Sequence, residues 1–503
     1  MADRLAARRP LGYAERGNGG RKMSECERII AGGQVVNGSG AARIRADVAI
    51  ADGRIAAVGD LSGWTASAER IDAGGLIVAP GFIDVHTHDD RLLLAHPEMA
   101  PKVSQGVTTV VVGNCGISLS PLAPAGDPPP PLNLLGGRDD FRFPSFAAYA
   151  AALDAAPAAV NAVALVGHST LRAAVMDDLG RAATPEESVR MGALLDEGLA
   201  AGCAGLSAGL AYPTAKAAPT AEVAALASRL PAGGVFTLHM RDEAAGVVAS
   251  VEEAIAIGRQ SGIPVVISHH KCCGRSNWGL SRKTLDLIAS ARADGLRVDL
   301  DTYPYTASST VLLKDFAARA ERVLIAWSEP YPEMTGRDLA DIAAGWGVAV
   351  DAAIDRLLPA GAIYFQMDEE DLRRIIAFER TMIGSDGLPH DVRPHPRLWG
   401  TFPRVLGHYA RDCRLFTLEE AVFRMTGNAA RVFGLGDRGR IAAGAAADIV
   451  LFDEETVLDR ATYEKPLEPA AGIRRVLVNG ETVWRDGAAT GKRPGRLLRR
   501  KNG

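Results

Sequence analysis

The chain has 503 residues, 47% of them hydrophobic and 23% charged, with a formal net charge of −4. This composition is globular and supplies no basic field for nucleic acid or an anionic membrane surface, so neither is expected as a partner and a small-molecule substrate is the default. Six scattered cysteines (Cys26, Cys115, Cys203, Cys272, Cys273 and Cys413) form neither a disulfide framework nor a CxxC zinc pattern. The Arg-rich start lacks the apolar core of a secretory signal, and no apolar run of roughly 18 residues could span a bilayer, so a soluble, cytoplasmic protein is expected.

In chain order, residues 1–26 carry much Arg and Gly with little apolar patterning and are expected to be a disordered tail. Ile29 to Val36 and Val48 to Val58 read as strands, the second folded at Asp52-Gly53, a two-residue hairpin signal. Near the other end, Ile441, Asp448–Phe452 and Val476–Trp484 share this character, and Val35-Val36-Asn37-Gly38 is echoed by Val478-Asn479-Gly480. Residues 27–80 and 436–503 are therefore predicted to build one small β-sandwich domain together.

Between them, over 81–435, strands alternate with helices. The buried strand candidates are Phe82–Val85, Val107–Val112, Val160–Val166, Ala204–Ser207, Val235–Leu238, Pro264–Ser268, Leu296–Leu300 and Met382–Ser385. Helix-compatible runs such as Pro185–Ala201, Ala221–Leu230, Val248–Ser261 and Leu280–Ala293 follow them. Eight β/α units predict a TIM-like (β/α)8 barrel, because parallel strands need crossovers and eight of them can close the sheet. The other topology considered, an open doubly wound sheet, lacks a GxGxxG opening a helix. Asp127 to Pro131 forces an extended loop after the second strand. The 309–363 stretch is too long for a simple connection and predicts an insertion after strand seven, over the barrel mouth, of the kind that acts as a lid.

Active sites of such barrels lie at the C-terminal ends of the strands. There the sequence places His86 and His88 (from Gly-Phe-Ile-Asp-Val-His-Thr-His, 81–88), Asn114-Cys115, His168, His239, His269-His270-Lys271 and Asp386. Residues two apart on a strand face the same way, so His86 and His88 converge. Imidazole and thiolate together suit zinc. Cys115 read alone could be a small buried hydrophobe; on a rim with four histidines it reads as a ligand. His270 faces away from His269 and is read as structural, and His168 as either a packed barrel residue or a donor to substrate. His96, His390, His395 and His408 are taken as solvated. Asp386, followed by Gly387, could be a turn residue. A strand-eight carboxylate beside a metal is also what hydrolysis requires, since it can take a proton from water and return it to a leaving amine.

These residues resemble the amidohydrolase superfamily, and within it the chain is similar to the D-aminoacylases (N-acyl-D-amino-acid deacylases) from about residue 27 onward. The segments that carry the resemblance are PGFIDVHTHDD (80–90), GVTTVVVGNCGIS (106–118), GHSTLR (167–172), GLSAGLAYPT (205–214), HMRDE (239–243), ISHHK (267–271), DTYPYTASST (301–310), IYFQMDEED (363–371), IGSDGLPHDVRPHPR (383–397) and MTGNAARVFGL (425–435). The resemblance implies one tight zinc held by Cys115, His239 and His269, and a second, weaker metal position at His86, His88 and Asp386. It also implies a clamp for the substrate α-carboxylate at Lys271, Tyr303 and Arg397, with Tyr212 and Ser309 nearby. The expected reaction is hydrolysis of an N-acyl-D-amino acid. The rival in the same superfamily, a cyclic amide hydrolase of the dihydropyrimidinase or dihydroorotase type, would be favoured by a carbamylatable lysine at the end of strand four, where Gly205-Leu206-Ser207 stands. A sugar deacetylase would want a phosphate cradle, and a metal-storage protein has no use for Asp386. Leu312 and Leu313 suggest an apolar side-chain pocket, while Lys314 would suit an acidic side chain if it pointed inward. No heptad or other self-association motif bears on the oligomeric state.

Overall fold

A computed structural model describes residues 24–500. The expected tail lies outside the described residues except for Ser24–Cys26, which instead open the strand Ser24–Val35 because the buried Cys26 pairs in register with Ala66.

Eight parallel strands form the barrel: Phe82–Asp84, Val107–Val112, Asn161–Gly167, Gly205–Gly209, Val235–His239, Val265–Ile267, Val298–Thr302 and Met382–Ile383. Each lies within a few residues of its predicted position. Their residues are buried throughout, as expected of strands covered by helices on one side and packed against each other on the other. The crossover helices begin and end where local chemistry dictates. Pro185–Ala200 opens with a reciprocal cap, Glu187 N donating to Thr184 Oγ1 and Thr184 N donating to the Glu187 carboxylate. Val247–Ser261 stops at Gly262, whose φ of 71° suits a residue without Cβ. Strand eight is the shortest at two residues, strands one and six have three each, and the ladder between strands one and eight is reduced to an isolated bridge of Thr87 with Gly387.

The chain ends form one nine-stranded mixed sheet. Ser24–Val35 carries a bulge between Ile30 and Gly33; its first half pairs with Trp64–Asp72 and its second with Ile77–Pro80. The two halves of the sheet close over a shared core that includes Ile30, Val48, Ile50, Ile71, Val78, Ile449, Leu451 and Leu477, so the sandwich is a single sheet folded on itself. The predicted hairpin is present, with Asp52 and Gly53 at φ 50° and 70°, and Val476–Trp484, read as one strand, folds back at Asn479 and Gly480, at 48° and 83°, the same left-handed pair of a tight two-residue turn.

The insertion is a folded unit. Strands Ala307–Val311, Ala360–Phe365 and Arg322–Ser328 form a three-stranded antiparallel sheet, backed by helices Leu339–Trp346 and Val350–Leu357 around a core of Leu312, Ile325, Ile342, Ile354 and Tyr364. It is tied to the loop after strand eight by Trp327 Nε1 donating to Asp391 Oδ1 and Arg393 N donating to Ala326 O. No helix among the described residues is long and apolar enough to cross a membrane.

Candidate metal centre and substrate site

Two groups of buried donors converge at the C-terminal mouth of the barrel, His86, His88, Cys115 and Asp386 in one and Cys115, His239 and His269 in the other, with the ligand atoms of each group within 4.8 Å of one another. Cys115 belongs to both. Its Sγ lies 3.1 Å from His86 Nε2 and 3.3 Å from His269 Nε2. His88 Nε2 and Asp386 Oδ1 are 3.2 Å apart, and the rings of His239 and His269 meet edge to face at 4.5 Å. Strand one ends at Asp84 and the chain bends at His86 before the Thr87 bridge, yet His86 and His88 still converge, with their ring centres 5.7 Å apart.

Backbone conformation aims this cluster. Cys115, His269 and Asp386 have φ of 53°, 36° and 50°, an unfavourable region for residues with a Cβ, and such strain gathers where side-chain direction matters. The turn at Cys115 also needs Gly116, because a Cβ there would lie 2.6 Å from Gly209 N. At Asp386 the backbone N–H donates to His86 O at 2.7 Å, which joins strand-eight and strand-one ligands directly.

The donors fit a metal ion. Neither ring nitrogen of the buried His239 makes a hydrogen bond within the described residues, although thiolate and imidazole donors surround it. Burial penalises the Cys115 thiolate, but His86 and His269 outweigh burial and bring the thiol well below its ordinary range. Burial likewise works against an ionised Asp386, yet Arg397 and His269 hold it well below the usual carboxylate value. The anionic donors are thus in the form a cation needs. Burial lowers His239, leaving it neutral. His88 is raised to about 9, because Asp386 and Cys115 more than offset burial, so a cation entering beside it displaces a proton.

Beside the cluster lie the residues expected to clamp a carboxylate. Arg397 is fully buried, with Nη1 2.9 Å from Asp386 Oδ2, Nη2 donating to Ser309 O at 3.0 Å, and its guanidinium 4.5 Å above the Tyr303 ring. The Tyr303 hydroxyl is buried without a hydrogen-bond partner among the described residues. Lys271 Nζ is 2.6 Å from Glu243 Oε1 and 5.7 Å from the Tyr303 ring centre. The Tyr212 ring packs 4.8 Å from that of His239 and its hydroxyl bonds Thr310 Oγ1 at 3.0 Å, while Ser309 Oγ donates to Ala362 O.

Three sequence expectations change. His395 is buried, not solvated: Nδ1 accepts from Arg397 N and Nε2 donates to Ala307 O, so it supports Arg397 between strand eight and the insertion. His390 is also largely withdrawn from solvent, and burial lowers it to about 3. His168 meets Glu222 through Nε2 at 3.0 Å, and Arg172 shares that same carboxylate, a contact made with the helix after strand four and not with the metal donors. His270 is structural as read, its Nε2 bonding Thr284 Oγ1 at 2.8 Å.

Sequence reasoning missed the carboxylates behind the cluster. Glu243 Oε1 lies 3.1 Å from His269 Nδ1 as well as beside Lys271, and Asp301 Oδ1 is 3.4 Å from His86 Nδ1 while accepting from His269 N at 2.9 Å. Such partners orient ligating imidazoles. Glu243 sits four residues after His239 in HMRDE, a spacing that could have flagged it.

Residues 69–484 match the amidohydrolase family. The chain is 56% identical over 475 residues to a D-aminoacylase of Alcaligenes xylosoxydans xylosoxydans, covering 94% of this chain and 97% of that protein. Among solved structures, the crystal structure of a D-aminoacylase superposes with a TM-score of 0.92 at 56% identity, covering 94% of this chain and all 100% of that one. An N-acyl-D-glutamate deacylase from Bordetella bronchiseptica, solved with zinc and a phosphonate mimic of the tetrahedral intermediate, superposes with a TM-score of 0.91 at 49% identity, covering 95% and 100% of the two chains.

Proposed function

The chain belongs to the amidohydrolase family and, within it, to the D-aminoacylases, and from that premise we propose that it hydrolyses the amide bond of N-acyl-D-amino acids to a carboxylate and a free D-amino acid. The observation that carries this reading is Cys115, a thiolate shared by both donor groups in a barrel whose strand four, Gly205–Gly209, offers no bridging lysine. That combination disfavours the cyclic amide alternative.

Cys115, His239 and His269 would hold zinc tightly, their N/S donor set being the one zinc prefers. His86, His88 and Asp386, with Cys115, would form a second and weaker position. When bound, zinc supplies a Lewis acid for the acyl carbonyl and for the attacking water. Asp386, ionised and facing the donors, takes the proton from water and returns it to the amide nitrogen as the C–N bond breaks. Arg397 pairs with the substrate α-carboxylate, and Lys271, Tyr303, Tyr212 and Ser309 complete the clamp; a guanidinium can grip a carboxylate with two parallel hydrogen bonds. Fixing the carboxylate and the acyl carbonyl together leaves one enantiomer free of clashes.

An apolar side chain is favoured over an acidic one. Lys314 turns to Asp355 at 2.6 Å and is not available to a second carboxylate, whereas Val311, Leu312 and Leu313 line an apolar cavity of about 410 Å³ with Pro213 and Thr214, next to Tyr212.

The test is amine release from matched N-acetyl-D- and N-acetyl-L-leucine, methionine, phenylalanine and glutamate, with metal content measured on the same preparation. Zinc with D-selective release is expected, strongest for the apolar set. Zinc without release from any of them would return the cyclic amide reading.

Arg397→Ala should lower kcat/KM by at least about thirtyfold, on the order of 2 kcal/mol for removing one partner of a buried charge pair, with metal content unchanged. A substrate whose α-carboxylate is esterified should lose far less. If the ester gains nothing on the acid in this variant, the clamp lies elsewhere.

A further inference from the structure

Lys102 lies in the short helix Ala100–Val103, outside every metal-binding or substrate-binding role described above, yet it is fully buried. Its Nζ donates to Asp84 Oδ2 at 2.8 Å and to Ser385 Oγ at 2.8 Å, and lies 3.3 Å from Asp89 Oδ2. Asp84 Oδ1 in turn accepts from Ser385 N at 2.7 Å and from His86 N at 3.4 Å. Ser385 Oγ also accepts from Gly387 N at 3.2 Å. One ammonium therefore connects the residue two before His86, the residue after His88, and the residue before Asp386.

This knot sits where the barrel lacks a ladder. Strands one and eight span three and two residues, and their pairing is confined to the Thr87–Gly387 bridge with two backbone bonds beside it, Asp386 N to His86 O at 2.7 Å and His88 N to Gly387 O at 3.3 Å. Asp386 itself is held at a φ of 50°, a left-handed conformation that the bonds of its neighbours fix. Ser385 and Gly387 flank it on either side, and both are tied through the hydroxyl that Lys102 engages.

We propose that Lys102 is a positioning residue for the reaction: through Asp84 and Ser385 it closes the seam between strands one and eight and holds His86, His88 and Asp386 in working register, while the group of Cys115, His239 and His269 stands independently of it. This rests on the deacylase reading, in which Asp386 moves the proton. The division of labour makes Lys102 separable from a residue that merely keeps the fold, because only the second cation position and the proton transfer depend on the seam.

The experiment uses the zinc-loaded full chain carrying Lys102→Met, which replaces the ammonium with an apolar group of similar length. Zinc retained at the first group is expected to match the wild type, the affinity for a second equivalent of zinc, read by titration calorimetry, to fall by about ten- to a hundredfold, and kcat to fall by a similar factor with KM nearly unchanged. In Lys102→Ala, added ethylammonium should restore part of kcat. A folded Lys102→Met protein with wild-type second-zinc affinity and kcat overturns the proposal. Should that variant fail to fold, Ser385→Ala decides: a lowered kcat with weakened second-zinc affinity supports the seam, and wild-type values for both overturn it. The calorimetric arm needs no substrate, so its failure is distinguishable from failure of the deacylase reading, in which the wild type itself would release no D-amino acid.

Discussion

Asp386→Asn should retain zinc at Cys115, His239 and His269 and lose turnover by at least about a hundredfold, the scale of a lost proton-transfer group. The substitution is nearly isosteric, so the left-handed backbone at φ 50°, which Asn tolerates well, and the N–H bond to His86 O both survive. What changes is charge. Asp386 is held ionised against the cost of burial chiefly by Arg397 and His269, and the amide that replaces it cannot accept a proton from water. Arg397 then loses its 2.9 Å partner and becomes freer to meet the substrate carboxylate, so KM should fall or stay level while kcat collapses. Stopped-flow release of D-methionine with metal analysis on the same sample checks this. Turnover within a few fold of wild type would remove Asp386 from the mechanism and leave it as the partner that keeps Arg397 in place.

The site was legible in the sequence to the extent that it sits on strand ends. Hydrophobic runs such as Val107–Val112 mark buried parallel strands, and the polar residues that follow such runs land on one rim, so His86, His88, His239, His269, Cys115 and Asp386 group from the sequence alone, though His168 and His270, which also follow strands, do not join them. The contacts that steady that rim were not legible. Lys102 meets Ser385 across 283 positions and Asp301 meets His269 across 32, and a lone Lys or Asp in a helix or strand gives no signal of its distant partner. His395 misled for the same reason: its loop reads as polar, but the insertion folds over it and Ala307 takes its Nε2 proton as a hydrogen bond. The left-handed backbone at Cys115, His269 and Asp386 had a faint local signature, Gly116 and Gly387 following two of them, and none at His269. Conversely, Lys314 looked significant in the sequence because its side-chain direction depends on Asp355, 41 residues away.

Cys115→Ala is expected to have the largest effect of any single change, because this residue alone belongs to both donor groups. Removing it leaves His239 and His269 as a two-imidazole pair, one protein ligand short of the three a catalytic zinc uses, and it removes the negative charge that, with Glu243, helps raise His269. Zinc should therefore be lost on gel filtration in buffer without added metal, and activity should drop by more than about a thousandfold, beyond the ten- to hundredfold cost of disturbing a mere supporting contact. Folding should survive, since alanine at φ 53° is strained no more than cysteine and the thiol is the only group removed. A His88→Asn control separates the two positions: it leaves Cys115, His239 and His269 intact, so it should keep the first zinc and weaken only the second. Stoichiometric zinc and measurable turnover in Cys115→Ala would mean that the thiolate is a buried neighbour of the metal and that the two imidazoles recruit another anionic donor, Glu243, whose Oε2 lies 3.8 Å from His239 Nε2, being at hand.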